Sequence, residues 1–378
     1  MKKELRKIIA LMNAYTQGKS GGDIAFIETA KRLENKVTVI TSEPGKKLCL
    51  ENGLSGNFFI TSSENKFGNL FLTYLKRTIK ALSFNVSKEE NVIYWSTSDF
   101  FPDVVPAFLR KIKNSQTIWV QSLHHLYLPP SKRKGNYLRN SLAYFLQRIS
   151  LILIKKQADR IMVVNDLLKE DLKKMNFEPK KIFVCPNGVN ADYFDGLKTK
   201  NNNRFEGVFL ARLTASKGVF DLIKIWSIVC RQKPKAKLVL IGGEAEVSRK
   251  ELEETAKKAG LAENISVLGY LDNKEAYSLV KSGKVFLFPS HEEGWGISIA
   301  EAMACGTAVI AWDLPVYRKV FSDYLTVVSE NDLGAFAAKI IELLENNSRR
   351  ESFSVKGKAF INNYSWELMA KKRKILFN

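Results

Sequence analysis

The chain of 378 residues is poor in the groups that build disulfides and metal sites. Its four cysteines, Cys49, Cys185, Cys230 and Cys305, are irregularly spaced and form no C-x-x-C pair. That argues against a disulfide framework or a zinc site and for a reducing compartment. There are three histidines, none spaced with acids as a ligand set, and no D-x-D pair anywhere, so chemistry without a metal or other cofactor is expected. No apolar run approaches the ~20 residues of a membrane-spanning helix. Near the start, Ile8 to Met12 is too short for a signal core, and no small-residue cleavage site follows it. A cytoplasmic location is the expectation.

Acidic residues are also scarce. There are 39 against 59 basic ones, leaving a net charge of +20. Residues 1–195 hold 31 Lys/Arg and 18 Asp/Glu; the rest holds 28 and 21. Between Asp103 and Asp159 there is no acid at all, while ten cations fall there, among them Lys132, Arg133, Lys134 and Arg139. Tyr127, Tyr137, Leu138, Leu142, Tyr144 and Phe145 are interleaved with them. Such an excess suits an anionic partner: nucleotide phosphates, nucleic acid or a membrane surface. No nucleic-acid reader motif is present and the lysines are widely spread, which counts against nucleic acid. The stretch around Lys132, Arg133, Lys134 and Arg139 is a candidate patch for an anionic membrane surface. The competing reading is a solvated cationic face with Leu142, Phe145 and Ile149 turned to the core.

What is present is a globular composition, 45% hydrophobic and 26% charged, at a length suited to two domains. Apolar runs rich in Val and Ile, with little alternation, predict parallel strands buried on both faces. They fall at Lys7–Met12, Lys36–Thr41, Val92–Thr97, Thr117–Ser122, Arg160–Asn165 and Lys181–Cys185. In the second half they fall at Gly207–Arg212, Lys237–Gly242, Ile265–Tyr270, Val285–Pro289, Ala308–Trp312 and Leu325–Val328. Helical spacing appears between them, for example at Ile24, Ile27, Ala30 and Leu33. The alternation occurs twice, with a turn signal at Pro186-Asn187-Gly188. The expected fold is α/β: two doubly wound parallel-sheet domains, 1–186 and 187–363, facing across a cleft, with a basic terminal helix at about 364–378 packing back on the first. Ligands of such sheets bind at the carboxyl ends of the strands.

The most informative segment is Pro289-Ser-His-Glu-Glu-Gly-Trp-Gly-Ile-Ser-Ile-Ala-Glu-Ala-Met-Ala-Cys-Gly306. A buried strand runs into a loop with two acids and two glycines, then into a helix. Gly294 and Gly296 let the backbone approach a ligand. The first N–H groups of the helix, around Ile297, Ser298 and Ile299, form a ready anion site. Glu293 and Glu301 flank that cradle and suit the hydroxyls of a sugar and a ribose. Glu292 reads as a solvated acid. A second element, Ala211-Arg212-Leu-Thr-Ala-Ser-Lys217-Gly218, puts two cations at a strand end and a helix entry, where they can hold a diphosphate. A strand-end salt bridge and a surface lysine are the plainer alternative. Gly18-Lys19-Ser20-Gly21-Gly22-Asp23 reads as a strand-to-helix loop; alone it is as consistent with a tight turn as with phosphate binding. Gln121-Ser-Leu-His124-His125 ends a strand.

Glu293, seven residues, then Glu301, inside E-G-W-G-x-x-x-x-E-A-M-A-C-G-T, resembles the E-x7-E motif of glycosyltransferase family 4. One departure is Ala308, where many members carry Pro. The resemblance runs along nearly the whole chain and is strongest from about Phe183 to Arg318. It implies the GT-B fold of two Rossmann-like domains. It also implies retaining transfer of a sugar from a nucleotide diphosphate sugar, UDP or GDP, to a glycan, lipid-linked or cell-envelope acceptor, without a metal. Glu293, Arg212, Lys217 and His124 are the implied catalytic set, with His125 as the alternative to His124. Gly21, Gly22, Arg212, Lys217, Glu293, Gly294, Gly296, Ile297, Ser298, Ile299 and Glu301 are the implied donor contacts. The enzyme would be cytoplasmic, peripheral on the inner face of the membrane. A nucleotide-sugar epimerase and a basic nucleic-acid-binding protein are the alternatives. The first would want a carboxylate pair near the anomeric carbon, which the sequence does not offer.

Overall fold

A computed structural model of the chain describes residues 6–15, 20–63, 70–85, 92–199 and 205–378. Two parallel sheets are formed. The first orders its strands β3-β2-β1-β4-β5-β6-β7. These are β1 (Lys7–Met12), β2 (Val37–Thr41), β3 (Asn57–Ile60), β4 (Val92–Ser96), β5 (Ile118–Leu123), β6 (Arg160–Val163) and β7 (Ile182–Val184). The second runs β10-β9-β8-β11-β12-β13. It contains β8 (Gly207–Leu210), β9 (Leu238–Ile241), β10 (Ile265–Gly269), β11 (Val285–Phe288), β12 (Ala308–Trp312) and β13 (Thr326–Val328). Consecutive strands are joined through helices, the arrangement that parallel pairing requires. The expected two-domain α/β architecture is therefore observed.

The central strands are largely apolar because both faces are covered. Every residue of β4, β9, β11 and β12 is buried. The strand absent from the sequence reading is β3, Asn-Phe-Phe-Ile, an edge strand of four half-covered or exposed residues. Its three apolar residues form too short a run to stand out as a strand. Several predicted strands were a residue or two too long at their carboxyl ends. Thr97, Asn165 and Arg212 lie beyond the ladders, in the loops where ligands of such sheets bind.

The chain divides into two units. The first is Met1–Tyr127, Ser141–Gly188 and Trp366–Asn378; the second is Leu128–Asn140 and Val189–Ser365. The terminal helix Trp366–Lys374 belongs to the first unit for a visible reason. Its Arg373 is buried and donates to the carbonyls of Ala25, Cys185 and Pro186, to Thr29 Oγ1 and to Asn187 Oδ1, at 2.8–3.1 Å. Burial pulls its pKa down to about 10, which leaves it charged at neutral pH. The sequence did not foresee that Leu128–Asn140, from the first half, would group with the second unit. Among the described residues no helix is long and apolar enough to cross a membrane.

Candidate active site

In the second unit the two motif segments are built against each other. β11 delivers Pro289 and the loop that follows; β8 delivers Arg212 and the short turn Ala215–Lys217. The next residue, Gly218, has φ 75°, and a Cβ there would lie 2.0 Å from the Pro289 carbonyl oxygen. Only glycine permits that approach. Nearby, the His291 amide donates to the Ser216 carbonyl at 2.8 Å. Trp295 anchors the far side of the loop, its ring 5.5 Å from Phe321 and 5.6 Å from Tyr364.

This packing brings Lys217 and Glu293 together as an ion pair. Their side chains are only 18% and 12% exposed. Lys217 Nζ also points at the Glu292 carbonyl, 3.5 Å away, and lies 5.8 Å from the centre of the Phe288 ring. Ser290 Oγ sits 3.1 Å from Glu293 Oε1. So the lysine is no loose surface cation; it is fixed on the acid of the other motif. Arg212, by contrast, is exposed and makes no side-chain hydrogen bond or ion pair among the described residues. At a strand end, it is a cation without a partner among the described residues.

Beyond the loop the helix Ile297–Ala304 begins after Gly296, which has φ 98°. No side chain caps this end. The amides of Ile297, Ser298 and Ile299 precede the first helical hydrogen bond, from Ala300 N to Gly296 O. They are free of intrahelical partners by geometry, and the helix dipole adds positive potential there. Further along, Glu301 accepts a hydrogen bond from the buried Tyr277 hydroxyl of helix Asn273–Ser282, and burial together with this contact pushes the Tyr277 pKa far up. Tyr277 was not singled out in the sequence; an aromatic on an amphipathic helix gives no local sign of a polar partner.

Glu292 corrects the sequence reading. It is not solvated: its side chain is 11% exposed, and it accepts from Arg133 Nε at 2.8 Å and from the Leu128 amide at 3.3 Å. Arg133 is thereby removed from the candidate membrane patch, because its charge is matched inside the second unit. Lys132 and Lys134 remain exposed, and Arg139 pairs loosely with Glu246 at 3.8 Å. Leu142 and Phe145, 54% and 61% exposed, do not face the core.

The first unit holds its own cluster. Gly21 and Gly22 open the helix Gly21–Ala30 rather than preceding it, with Ser20 and Asp23 forming a capping box. Asp23 is thus occupied in capping. Gly18 and Lys19 lie outside the described residues. A Cβ on Gly22 would fall 2.8 Å from His124 Nε2, so the missing side chain makes room for the imidazole. That Nε2 is 2.9 Å from the Thr97 carbonyl and must donate to it. Nδ1 is then the unprotonated nitrogen, and it has no partner among the described residues. Burial depresses the His124 pKa to about 4, so the ring is a neutral acceptor at pH 7. His125 instead packs edge-on against Tyr127, 4.9 Å between centres.

Known proteins give the site its context. Residues 196–360 match the family described as Glycosyl transferases group 1, and residues 21–193 match Glycosyltransferase Family 4. An uncharacterized glycosyltransferase of Methanocaldococcus jannaschii is 25% identical over 309 residues, 78% of this chain and 76% of the relative. The phosphatidyl-myo-inositol mannosyltransferase of Mycobacterium tuberculosis is 32% identical over 197 residues, 49% of this chain and 50% of that protein. Among solved structures, Anabaena HepE with UDP-glucose superposes with a TM-score of 0.76 at 16% identity, covering 97% of both chains. That identity bears on the fold alone. The two family matches follow one another along nearly the whole chain and take in both clusters described above, so the chain belongs to the family 4, group 1 glycosyltransferases and is a glycosyltransferase of GT-B fold.

Proposed function

We propose that this protein transfers a sugar from a nucleotide diphosphate sugar to an acceptor hydroxyl, with retention and without a metal. The observation that carries the reading is the assembly of Arg212, the Lys217–Glu293 pair and the uncapped helix start at Ile297 in one unit. Arg212, Lys217 and the amides of Ile297, Ser298 and Ile299 would hold the diphosphate and stabilise the charge that grows on it as the sugar leaves. Glu293 would bind a sugar hydroxyl, Glu301 the ribose. In front-face transfer the bond from the anomeric carbon to the phosphate oxygen breaks. The acceptor oxygen bonds to that carbon on the same face, and its proton passes to the departing phosphate oxygen.

Cationic side chains and a helix dipole can supply the positive charge that a metal would otherwise bring. The test is slow hydrolysis of candidate donors, UDP- and GDP-sugars, with and without a strong chelator. Turnover of at least one donor should be unchanged by EDTA. Loss that magnesium or manganese restores would overturn the metal-free mechanism, and no turnover or binding of any donor would overturn the transferase reading.

The acceptor is proposed to be glycan, lipid-linked or part of the cell envelope, met at an anionic membrane surface. The similarity to a phosphatidyl-myo-inositol mannosyltransferase supports a lipid-linked acceptor. Lys132, Lys134 and Arg139 are exposed beside Tyr137 and Leu138, which are 62% and 78% exposed. Each such cation contributes about 1 kcal/mol near an anionic bilayer. Wild type should co-sediment with phosphatidylserine vesicles at low salt and release as salt rises. A Lys132→Ser, Lys134→Ser, Arg139→Ser variant should bind more weakly. Wild type that ignores these vesicles at low salt would return the acceptor to the soluble pool.

A further inference from the structure

The residue before the two loop glutamates has a role of its own. His291 is 7% exposed, and both of its ring nitrogens meet carboxylates. Nε2 is 2.7 Å from Asp221 Oδ2, in the first turn of helix Val219–Gln232. Nδ1 is 2.6 Å from Glu330 Oε1, in the connection that follows β13. A carboxylate oxygen can only accept, so both ring nitrogens must donate. The geometry therefore describes an imidazolium bridging two acids that belong to different segments. Its backbone amide is fixed to Ser216 and its chain neighbours are Ser290 and Glu292.

We propose that His291 is a positioning residue, an imidazolium clamp that ties the 290–293 loop to Asp221 and Glu330 and so holds Glu293 against Lys217. The inference rests on the donor-site reading above. Loss of one proton would leave a single N–H for two carboxylates. One acid would then face a lone pair, and the loop would be held from one side only. The charges around the ring are Asp221 and Glu330 in contact, Lys134 and Lys224 acting on Asp221, and Glu292, Glu293 and Lys217 along the loop. The Trp312 ring closes one side, 6.4 Å between centres. Burial lowers the pKa of the ring, but the two carboxylates outweigh it and the net shift is upward. Asp221 in turn is held below the ordinary carboxylate range by His291, against its own burial.

A group raised above its unfolded value contributes stability that is fully present below the unfolded pKa, about 6.5 for histidine, and is lost as pH rises through the folded one. The clamp therefore weakens on the alkaline side. Three measurements on the full chain test it. Side-chain nitrogen NMR of wild type should show the doubly protonated ring persisting above pH 6.5, and an Asp221→Asn, Glu330→Gln variant should shift its loss to lower pH. Calorimetry with UDP and GDP should give weaker binding to His291→Asn, about tenfold at pH 6.5. That gap should close by pH 9.5; the ligand's own titration cancels in the ratio. The difference in melting temperature between wild type and His291→Asn should narrow over the same range.

A neutral ring at pH 6, or a His291→Asn variant with wild-type binding and an unchanged pH profile, would overturn the clamp. If wild type binds neither diphosphate, the donor-site reading fails instead. The NMR and melting measurements then decide the clamp by themselves.

Discussion

Glu293→Gln should lower kcat/KM for sugar transfer by roughly 30- to 1,000-fold, which corresponds to about 2–4 kcal/mol of transition-state stabilisation. The substitution keeps size and a hydrogen-bonding oxygen for Lys217 but removes the charge. If Glu293 tightens its grip on the sugar only as the anomeric bond breaks, kcat falls more than KM rises. Glu301→Gln, at the proposed ribose end, should instead raise the donor KM and spare kcat. Tyr277 donates to that carboxylate, so the amide must settle for a weaker hydrogen bond in a buried setting. Near-normal steady-state kinetics in both variants would remove both acids from the site.

The second large effect concerns the cations, and the structure separates them. Arg212→Ala and Lys217→Ala should each weaken nucleoside diphosphate binding by roughly 10- to 150-fold, about 1.5–3 kcal/mol for a charged hydrogen bond. Binding of the bare nucleoside should hardly change. Calorimetry with both ligands reads the difference, and equal losses for nucleoside and diphosphate would mean that these cations do not hold the phosphates. Stability distinguishes the two variants further. Arg212 is exposed without a protein partner among the described residues, so its loss should leave the melting temperature in place. Lys217 neutralises a carboxylate that is 12% exposed. Removing one member of a buried pair costs up to about 3–5 kcal/mol. Lys217→Ala should therefore also destabilise the fold, and Lys217→Ala combined with Glu293→Gln should recover part of that loss.

The backbone plan was legible in the residues because hydrophobic burial on both faces of a parallel strand writes a continuous apolar run. Val92–Ser96, Leu238–Ile241 and Ala308–Trp312 announce themselves this way. So does the loop from Pro289 to Gly306, whose glycines and acids lie close together in the chain. Asn57–Ile60 escaped notice because its four residues, one exposed and three half-buried, make only a very short apolar run.

What the sequence by itself determined is the alternation of strands and helices, the family, and the identity of the charged groups at the carboxyl ends of β8 and β11. Only the tertiary structure decided which charges meet. Lys217 and Glu293 are 76 residues apart, His291 and Asp221 are 70 apart, and Arg133 and Glu292 are 159 apart. Spacing along the chain carries no record of such pairs, because a fold brings them together by packing whole segments. A single surface cation such as Arg133 and a single acid such as Glu292 look the same in sequence whether solvated or paired. The capture of Leu128–Asn140 by the second unit, which pairs those two, is a property of the folded chain alone. The protonation of the two histidines follows the same rule. His124 is neutral because it is buried against a carbonyl, whereas His291, lying between two carboxylates, has its pKa raised.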